Sequence, residues 1–239
     1  MGLIVQSIFP DLYTIENDIA TTGSTNFLLA VDNPAVRLLS VGAVSFDMTP
    51  YQFSTSRTIF AMTSQHNSGS NSYFIMGFSS AGPANVRLNI LSRLGLTGSS
   101  TVLLASPAWG LVLNQKIRIL LASSGSIYID GAVPGYLTGS LAAGWFAAMT
   151  ATTWKLTLMG YRTGNFSGQG LNGKMNNVRF WNKVPTAGEA LLDATTGDWT
   201  QEQFADSIVT CYEFEKDTND MVGPDHLTPT LTPAYIASP

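Results

Sequence analysis

The chain has 239 residues and a formal net charge of −4; 45% of the residues are hydrophobic and only 12% are charged. This apolar content excludes a disordered chain, and the length suits one large domain that buries about 70–75% of its unfolded surface. The acidic balance excludes the basic field that general nucleic-acid binding requires. The single cysteine, Cys211, excludes an internal disulfide.

The first half of the chain predicts an extended arm followed by short strands. Residues 1–22 show no regular period and are predicted to form an extended N-terminal arm. Strand signals follow, in which β-branched, aromatic and apolar residues alternate with polar ones. They cover residues 26–31, 36–47, 57–62, 72–78 and 85–91. The third and fourth of these strands are predicted to pair around a loop rich in Ser, Asn and Gly.

The second half contains the clearest β-hairpin of the sequence. It joins residues 116–121 to 126–130 through a short turn that ends in Gly125. Asp130-Gly131 predicts another turn at the far end of the hairpin, with positive φ angles. Further strands are predicted at 154–159, at 170–181 with an interruption at Asn172-Gly173, and at 208–214.

Helix signals are confined to the late part of the chain. Thr186 and Glu189 form a capping box before an apolar run, and Thr200-Gln201-Glu202-Gln203 repeats that signature. Residues 229–239 are rich in proline and are predicted to run as an extended C-terminal tail. The pattern predicts an all-β, two-sheet antiparallel jelly-roll sandwich over residues 23–228, with one or two short late helices.

Three blocks in the second half carry a resemblance to a known family. They are GSIYIDG at 125–131, LNGKMNNVRFWNK at 171–183 with Pro185 and Glu189 after it, and TCYEFE at 210–215 followed by Asp220 and Asp225-His226-Leu227. In residue types, order and spacing they resemble the laminin-G-like branch of the concanavalin A-like lectin/glucanase superfamily over roughly residues 115–230. The resemblance implies a jelly roll of two antiparallel sheets and no particular ligand. Asn176, which replaces an acid of the family pattern, and Pro185-Thr186 depart from it.

Catalytic chemistry finds little support among the residue patterns. Glu213, Glu215 and Asp217 share one face if the strand continues, but they do not match the E-x-D-x-x-E run of the catalytic superfamily members. His66 and His226 lie in separate loops and have no cysteine partner for a zinc site. We therefore expect a protein that is not an enzyme.

Two kinds of ligand site are suggested by residue type. Asp217, Asp220 and Asp225 fall in one loop and supply the hard oxygen ligands that calcium prefers, which leaves calcium open as a cofactor. Sugar binding needs exposed aromatic faces with amide or hydroxyl partners. The candidates in the loops 131–150 and 160–170 are Tyr136, Trp145, Tyr161 and Asn165.

The charges are polarised along the chain. No Asp or Glu lies between Asp47 and Asp130, a stretch that contains five basic residues, whereas ten acids and one base follow from Glu189 onward. Such polarity is able to pair faces within the domain or between copies.

Two functional hypotheses follow. The first is a structural or assembly protein on a large particle, such as a phage capsid decoration or tail appendage, whose partners are copies of itself or a capsid or tail scaffold. The second is a lectin-like module that binds glycans. Because the sequence has neither a signal-peptide pattern nor an apolar run of membrane-spanning length, we expect cytoplasmic synthesis, a location on the virion surface or outside the cell, and no membrane partner.

Overall fold

The computed structural model has the architecture of an all-β jelly-roll sandwich, as the sequence predicts. It describes residues 13–17, 28–31, 35–36, 39–51, 57–63, 73–80, 86–93, 101–105, 112–134, 137–138, 144–150, 155–158, 161–163, 166–196, 200, 205–214, 221–222, 228–229 and 234–237. These residues form two β-sheets and two short α-helices.

The first sheet has seven strands in the order β17-β1-β14-β3-β8-β9, and β15 also pairs with β14. The bounds are β1 Tyr13–Asn17, β3 Ala43–Pro50, β8 Ile117–Ala122, β9 Ile127–Ile129, β14 Gly173–Trp181, β15 Ile208–Tyr212 and β17 Ala234–Ala237. The pairings between these strands are antiparallel.

The second sheet follows the order β10-β7-β6-β5-β4-β11-β2-β16, with β13 against β4 and β12 against β13. Its strands are β2 Leu28–Val31, β4 Arg57–Thr63, β5 Tyr73–Ser80, β6 Val86–Arg93, β7 Thr101–Ala105, β10 Leu137–Thr138, β11 Lys155–Leu158, β12 Tyr161–Thr163, β13 Phe166–Gly170 and β16 Thr228–Pro229. The predicted pair at 57–62 and 72–78 is confirmed as β4 and β5. One pairing differs from the antiparallel expectation, because β13 runs parallel to β4.

Two α-helices decorate the sandwich: α1 spans Trp145–Thr150 and α2 spans Ala187–Thr196. The capping box that predicts α2 is confirmed, since the backbone N–H of Thr186 donates to Glu189 Oε2 at 2.8 Å and the N–H of Glu189 donates to Thr186 Oγ1 at 3.2 Å. The second predicted helix falls largely on residues outside the described ranges, and Ala205–Ser207 forms a 3₁₀ turn. Within these ranges, neither helix has the length and apolarity that crossing a membrane would require.

Among the described residues, a large part of the core lies on the face of the first sheet that is turned away from α2. Val44, Phe46 and Met48 alternate along β3 and stand opposite apolar residues of β8 and β14. All three are at most 1% exposed. This period-2 pattern explains why the strand signals of the sequence predict the sheet well.

The outer face of the same sheet is also buried, because α2 covers part of it. A second apolar cluster there joins the strands to the helix and consists of Ala43, Leu120, Ala122, Tyr128, Trp181, Ala190, Ile208 and Cys211. The turn after β9 approaches α2 closely at Gly131, which has φ +79; an added Cβ would lie 2.6 Å from the Cα of Leu191. Glycine is required at this turn by both the backbone angle and the space.

Segments at both ends of the sequence contribute strands to the first sheet. Tyr13–Asn17, in the predicted N-terminal arm, pairs with Ala234–Ala237, in the predicted C-terminal tail, and with β14. These parts of the predicted arm and tail are therefore strands of the first sheet. The domain boundaries at residues 23 and 228 stay predictions.

The predicted strand at 208–214 ends earlier than expected. It stops at Tyr212, and Phe214 has a left-handed φ of 58°. Tyr212 and Phe214 are both buried, and their rings stack with centroids 6.5 Å apart. The alternation that would place Glu213 and the acids after it on one strand face is therefore broken at Phe214.

Candidate functional site

Arg118 is the centre of a buried polar cluster on the outer face of the first sheet. Its side chain is 4% exposed. Nε and Nη2 each donate a 2.9 Å hydrogen bond to the carboxylate of Asp193, which makes a bidentate ion pair. The other donated bonds go to Ser45 Oγ at 2.8 Å, the backbone oxygen of Asn177 at 2.7 Å and Asp47 Oδ1 at 3.3 Å.

Asp193 belongs to α2 and joins the helix to two strands. Its carboxylate also accepts a 2.6 Å hydrogen bond from Arg179 Nη1. Burial alone would raise the pKa of Asp193, but the guanidinium groups of Arg118 and Arg179 outweigh burial and lower it. Burial would lower the pKa of Arg118, yet Asp193 and Asp47 raise it instead. Asp193 is therefore a carboxylate at neutral pH and has no proton to donate.

A β-bulge in β14 assembles the rest of the cluster. The register of β14 against β3 shifts between Asn176 and Arg179, and Asn177 takes a left-handed φ of 48°. The shift puts Asn176 opposite Asp47 and Arg179 opposite Ser45, so both lie on the same face of the sheet although three positions separate them. Asn177 Nδ2 then donates to Asp47 Oδ2 at 3.0 Å.

This cluster fixes α2 on the sheet and is poorly suited to catalysis. The side chains of Asp193 and Arg179 are 0% exposed, and that of Asp47 is 8% exposed. Each of the two carboxylates is paired with a guanidinium, so neither is a solvent-facing general acid or base. The cluster therefore has a structural role. Through Arg118 and Asp193 it also connects the base-rich stretch of the sequence to the acid-rich one.

Cys211 lies beneath the same helix and is chemically protected. Burial raises the pKa of its thiol to about 12; Arg179 opposes this shift and Glu213 adds to it. Because the thiolate is the nucleophilic form, Cys211 behaves as a small apolar core residue, as its apolar sequence context predicts.

The predicted sugar-binding residues fall in different parts of the structure. Trp145 is fully buried in α1 and packs edge-to-face on Phe146 at a centroid distance of 5.4 Å. This corrects the prediction of Trp145 as an exposed platform, because its ring offers no face to solvent. Tyr161 is placed in β12 by its backbone, and Tyr136 and Asn165 lie outside the described residues.

The acidic candidates are likewise only partly described. Glu213 is half-buried after β15, whereas Glu215, Asp217, Asp220 and Asp225 lie outside the described residues. His66 and His226 are outside them too. Among the residues that the structure does describe, no cluster of three or more His, Cys, Asp or Glu is arranged to hold a metal ion. The calcium site stays a prediction.

The ion cluster was missed by reasoning from the sequence. Arg179 stands in the strand motif before Trp181, Asp47 begins the acid-free stretch and Arg118 lies within it, but no local spacing links these residues to Asp193. The signal that could have indicated the cluster is Arg179 itself, because it lies in a run of buried residues in β14, where a charge needs a partner.

Comparison with known proteins finds solved structures with a similar fold. No family model and no curated protein sequence matches the chain. A Bacteroides ovatus protein inferred to bind carbohydrate matches with a TM-score of 0.61 at 14% identity, covering 95% of this chain and 60% of that one. The heptameric SAP-like pentraxin of Limulus polyphemus matches with a TM-score of 0.55 at 9% identity, covering 97% and 94%.

A third similar structure is a phage protein. Tailspike protein 2 from an Escherichia coli O157:H7 bacteriophage matches with a TM-score of 0.52 at 11% identity, covering 91% of this chain and 31% of that one. At these identities the similarity establishes a shared jelly-roll fold of the lectin-like kind. It does not confirm the laminin-G-like branch.

Proposed function

We propose that this protein is a carbohydrate-binding, lectin-like module without catalytic activity. The observation that carries the proposal is the extent of the fold match: 95% of the chain superimposes on a protein inferred to bind carbohydrate. The low share of charged residues, 12%, supports it, because a neutral surface rich in hydroxyl and amide groups suits hydroxyl-rich ligands.

The ion cluster itself does not provide a pair of carboxyl groups for glycoside hydrolysis. Glycoside hydrolysis uses two carboxyl groups about 5–10 Å apart that face a cleft. In the described residues the two buried carboxylates, Asp47 and Asp193, are held by Arg118 under α2. The tailspike domain described as enzymatically active is matched over only 35% of its length, so its activity does not carry over.

We propose that the sugar contacts are made by Tyr136, Tyr161 and Asn165, the remaining candidates of the sequence, of which Tyr161 begins β12. A suitable test is an array of immobilised oligosaccharides, probed with biotinylated protein on tetrameric streptavidin so that weak sites add up. We expect saturable binding that weakens in Tyr136→Ala and Tyr161→Ala. The exposed neighbour Val133 provides the matched control Val133→Ala, which keeps wild-type binding. An array without any bound glycan would remove the proposal.

A second candidate is a structural subunit displayed on a phage particle. The similarity to a phage tailspike favours it, since this chain corresponds to about a third of that protein. The polarised charge of the sequence would then also serve contacts between copies or with a capsid or tail scaffold. Analytical ultracentrifugation tests this candidate: a concentration-dependent oligomer supports it, and a monomer at all concentrations opposes it.

A further inference from the structure

The outer face of the first sheet continues beyond α2 as a polar row that crosses β14 and β3 and reaches the residue before β8. Lys174 of β14 stands opposite Thr49 of β3. The pairing of β3 with β8 ends at Met48 and Ile117, so one further step places Lys116 opposite Thr49 from the other side. Residues opposite each other in antiparallel strands share a face, and this row therefore presents lysine, threonine and lysine side by side.

Lys116 is exposed at this surface and Lys174 is partly exposed. The Lys116 side chain is 67% exposed, and its Nζ lies 3.8 Å from Asp47 Oδ2. Asp47 is already held more closely by Arg118 and Asn177, at 3.3 and 3.0 Å, so it is only a distant partner for Lys116. Lys174 and Thr49 are half-buried.

The charge of the row differs from that of the whole chain. In the adjacent cluster the two arginines are balanced by the two aspartates, which leaves Lys116 and Lys174 as the local excess. Glu16 of β1 occupies the register position opposite Lys174. Two lysines and one glutamate give the row a net positive charge on a protein whose total is −4.

An aromatic ring and two amides border the lysines. Lys174 Nζ lies 6.0 Å from the ring centroid of the half-buried Tyr51, which follows β3 on the same face as Thr49. The backbone N–H of Asn114 donates to the oxygen of Pro50 at 2.8 Å, which brings the segment before β8, with the exposed residues Asn114 and Gln115, to the end of β3. Cation, hydroxyl and ring groups are thereby gathered on one surface, and two amide residues lie in the adjoining segment.

We propose that this surface is a binding subsite for an acidic saccharide. The ammonium groups of Lys116 and Lys174 bind the ligand carboxylate above Thr49, and Tyr51 packs against the sugar ring. That the ligand is a saccharide rests on the proposed function; the new part of the inference is that the ligand is negatively charged. A long polyanion such as a nucleic acid is disfavoured, because two lysines on an acidic protein give no extended basic track.

The test compares carboxylated oligosaccharides with their methyl esters on one array. Uronate- and sialic-acid-containing glycans are printed beside the esters, which keep the sugar and lose the charge. We expect binding to the acids, loss on esterification, and weakening as ionic strength rises. Lys116→Gln and Lys174→Gln should each weaken binding about tenfold, and Lys174→Arg should retain most of it.

A matched control removes the same charge elsewhere. Lys183 pairs with Glu189 beside α2 and lies outside the row, so Lys183→Gln should bind as the wild type does. Equal binding of acids and esters, binding of neutral glycans alone, or unchanged binding in the Lys116→Gln/Lys174→Gln double variant would overturn the subsite and leave the proposed function standing. An array with no bound glycan of any kind would overturn both.

Discussion

The buried carboxylate of Asp193 offers the sharpest test of how the fold is held together. Asp193→Asn keeps the shape of the side chain and removes its charge. Arg118 and Arg179, which are 4% and 0% exposed, then lose the counter-charge that lies within 2.9 Å of both. We expect α2 to loosen from the sheet, because Arg179 loses its ion pair with Asp193 and Arg118 keeps only the longer one to Asp47, at 3.3 Å, in a water-poor site.

The free energy of unfolding falls because buried charges lose their partner. Removing one partner of a buried ion pair costs about 3–5 kcal/mol, a large part of the 5–15 kcal/mol that stabilises a typical domain. For a domain of this size, that loss corresponds to a fall in Tm of roughly 6–20 °C. The asparagine oxygen still accepts one hydrogen bond, which favours the lower part of this range.

Urea unfolding followed by tryptophan fluorescence measures the loss directly. Asp206→Asn is the matched control, because Asp206 is exposed and its replacement should change the free energy of unfolding by less than about 0.5 kcal/mol. Adding Arg179→Met to Asp193→Asn should recover part of the stability, since the buried guanidinium that lost its carboxylate partner is removed. A loss below about 1 kcal/mol for Asp193→Asn would refute the role given to the ion cluster.

Four further outcomes are expected. The pKa of Asp193 is lowered in the folded state, so its contribution to the free energy of unfolding is present above its unfolded pKa of about 3.9 and is lost as pH falls through the folded value. Acid titration should therefore show a smaller loss of stability in Asp193→Asn than in the wild type. Thr186→Ala removes the N-cap of α2 and should cost about 1 kcal/mol in urea unfolding, whereas no loss would question the cap. Cys211 should resist a thiol-specific reagent at pH 8 until denaturant is added, and rapid labelling of the folded protein would contradict its burial. Gly131→Val should lower Tm, because the added Cβ meets the backbone of Leu191 at a left-handed φ, and an unchanged Tm would contradict that close approach.

The parts of the fold that depend on local chemistry were predictable from the sequence. The hairpin of β8 and β9 follows from its alternation and its turns, and Asp130 and Gly131 have the positive φ angles that their residue types indicate. The start of α2 follows from the reciprocal hydrogen bonds of Thr186 and Glu189. Each of these signals lies within a few residues of the feature that it predicts.

Features that depend on distant pairing were not predictable in this way. Asp193 and Arg118 are 75 positions apart and meet only because α2 folds back over β8. The six-residue helix α1 has no acid in its first turn and no base in its last, so nothing in the sequence distinguished it from a loop or indicated that Trp145 is buried.

An NMR titration of the ¹⁵N-labelled protein with the strongest glycan from the array tests whether the chain is a carbohydrate-binding module. We predict saturable shifts of the backbone amides of Thr49, Lys116 and Lys174 with an acidic glycan, while the amide of the buried Arg179 stays unchanged. The absence of any saturable shift, for acidic and neutral glycans alike, would contradict the account.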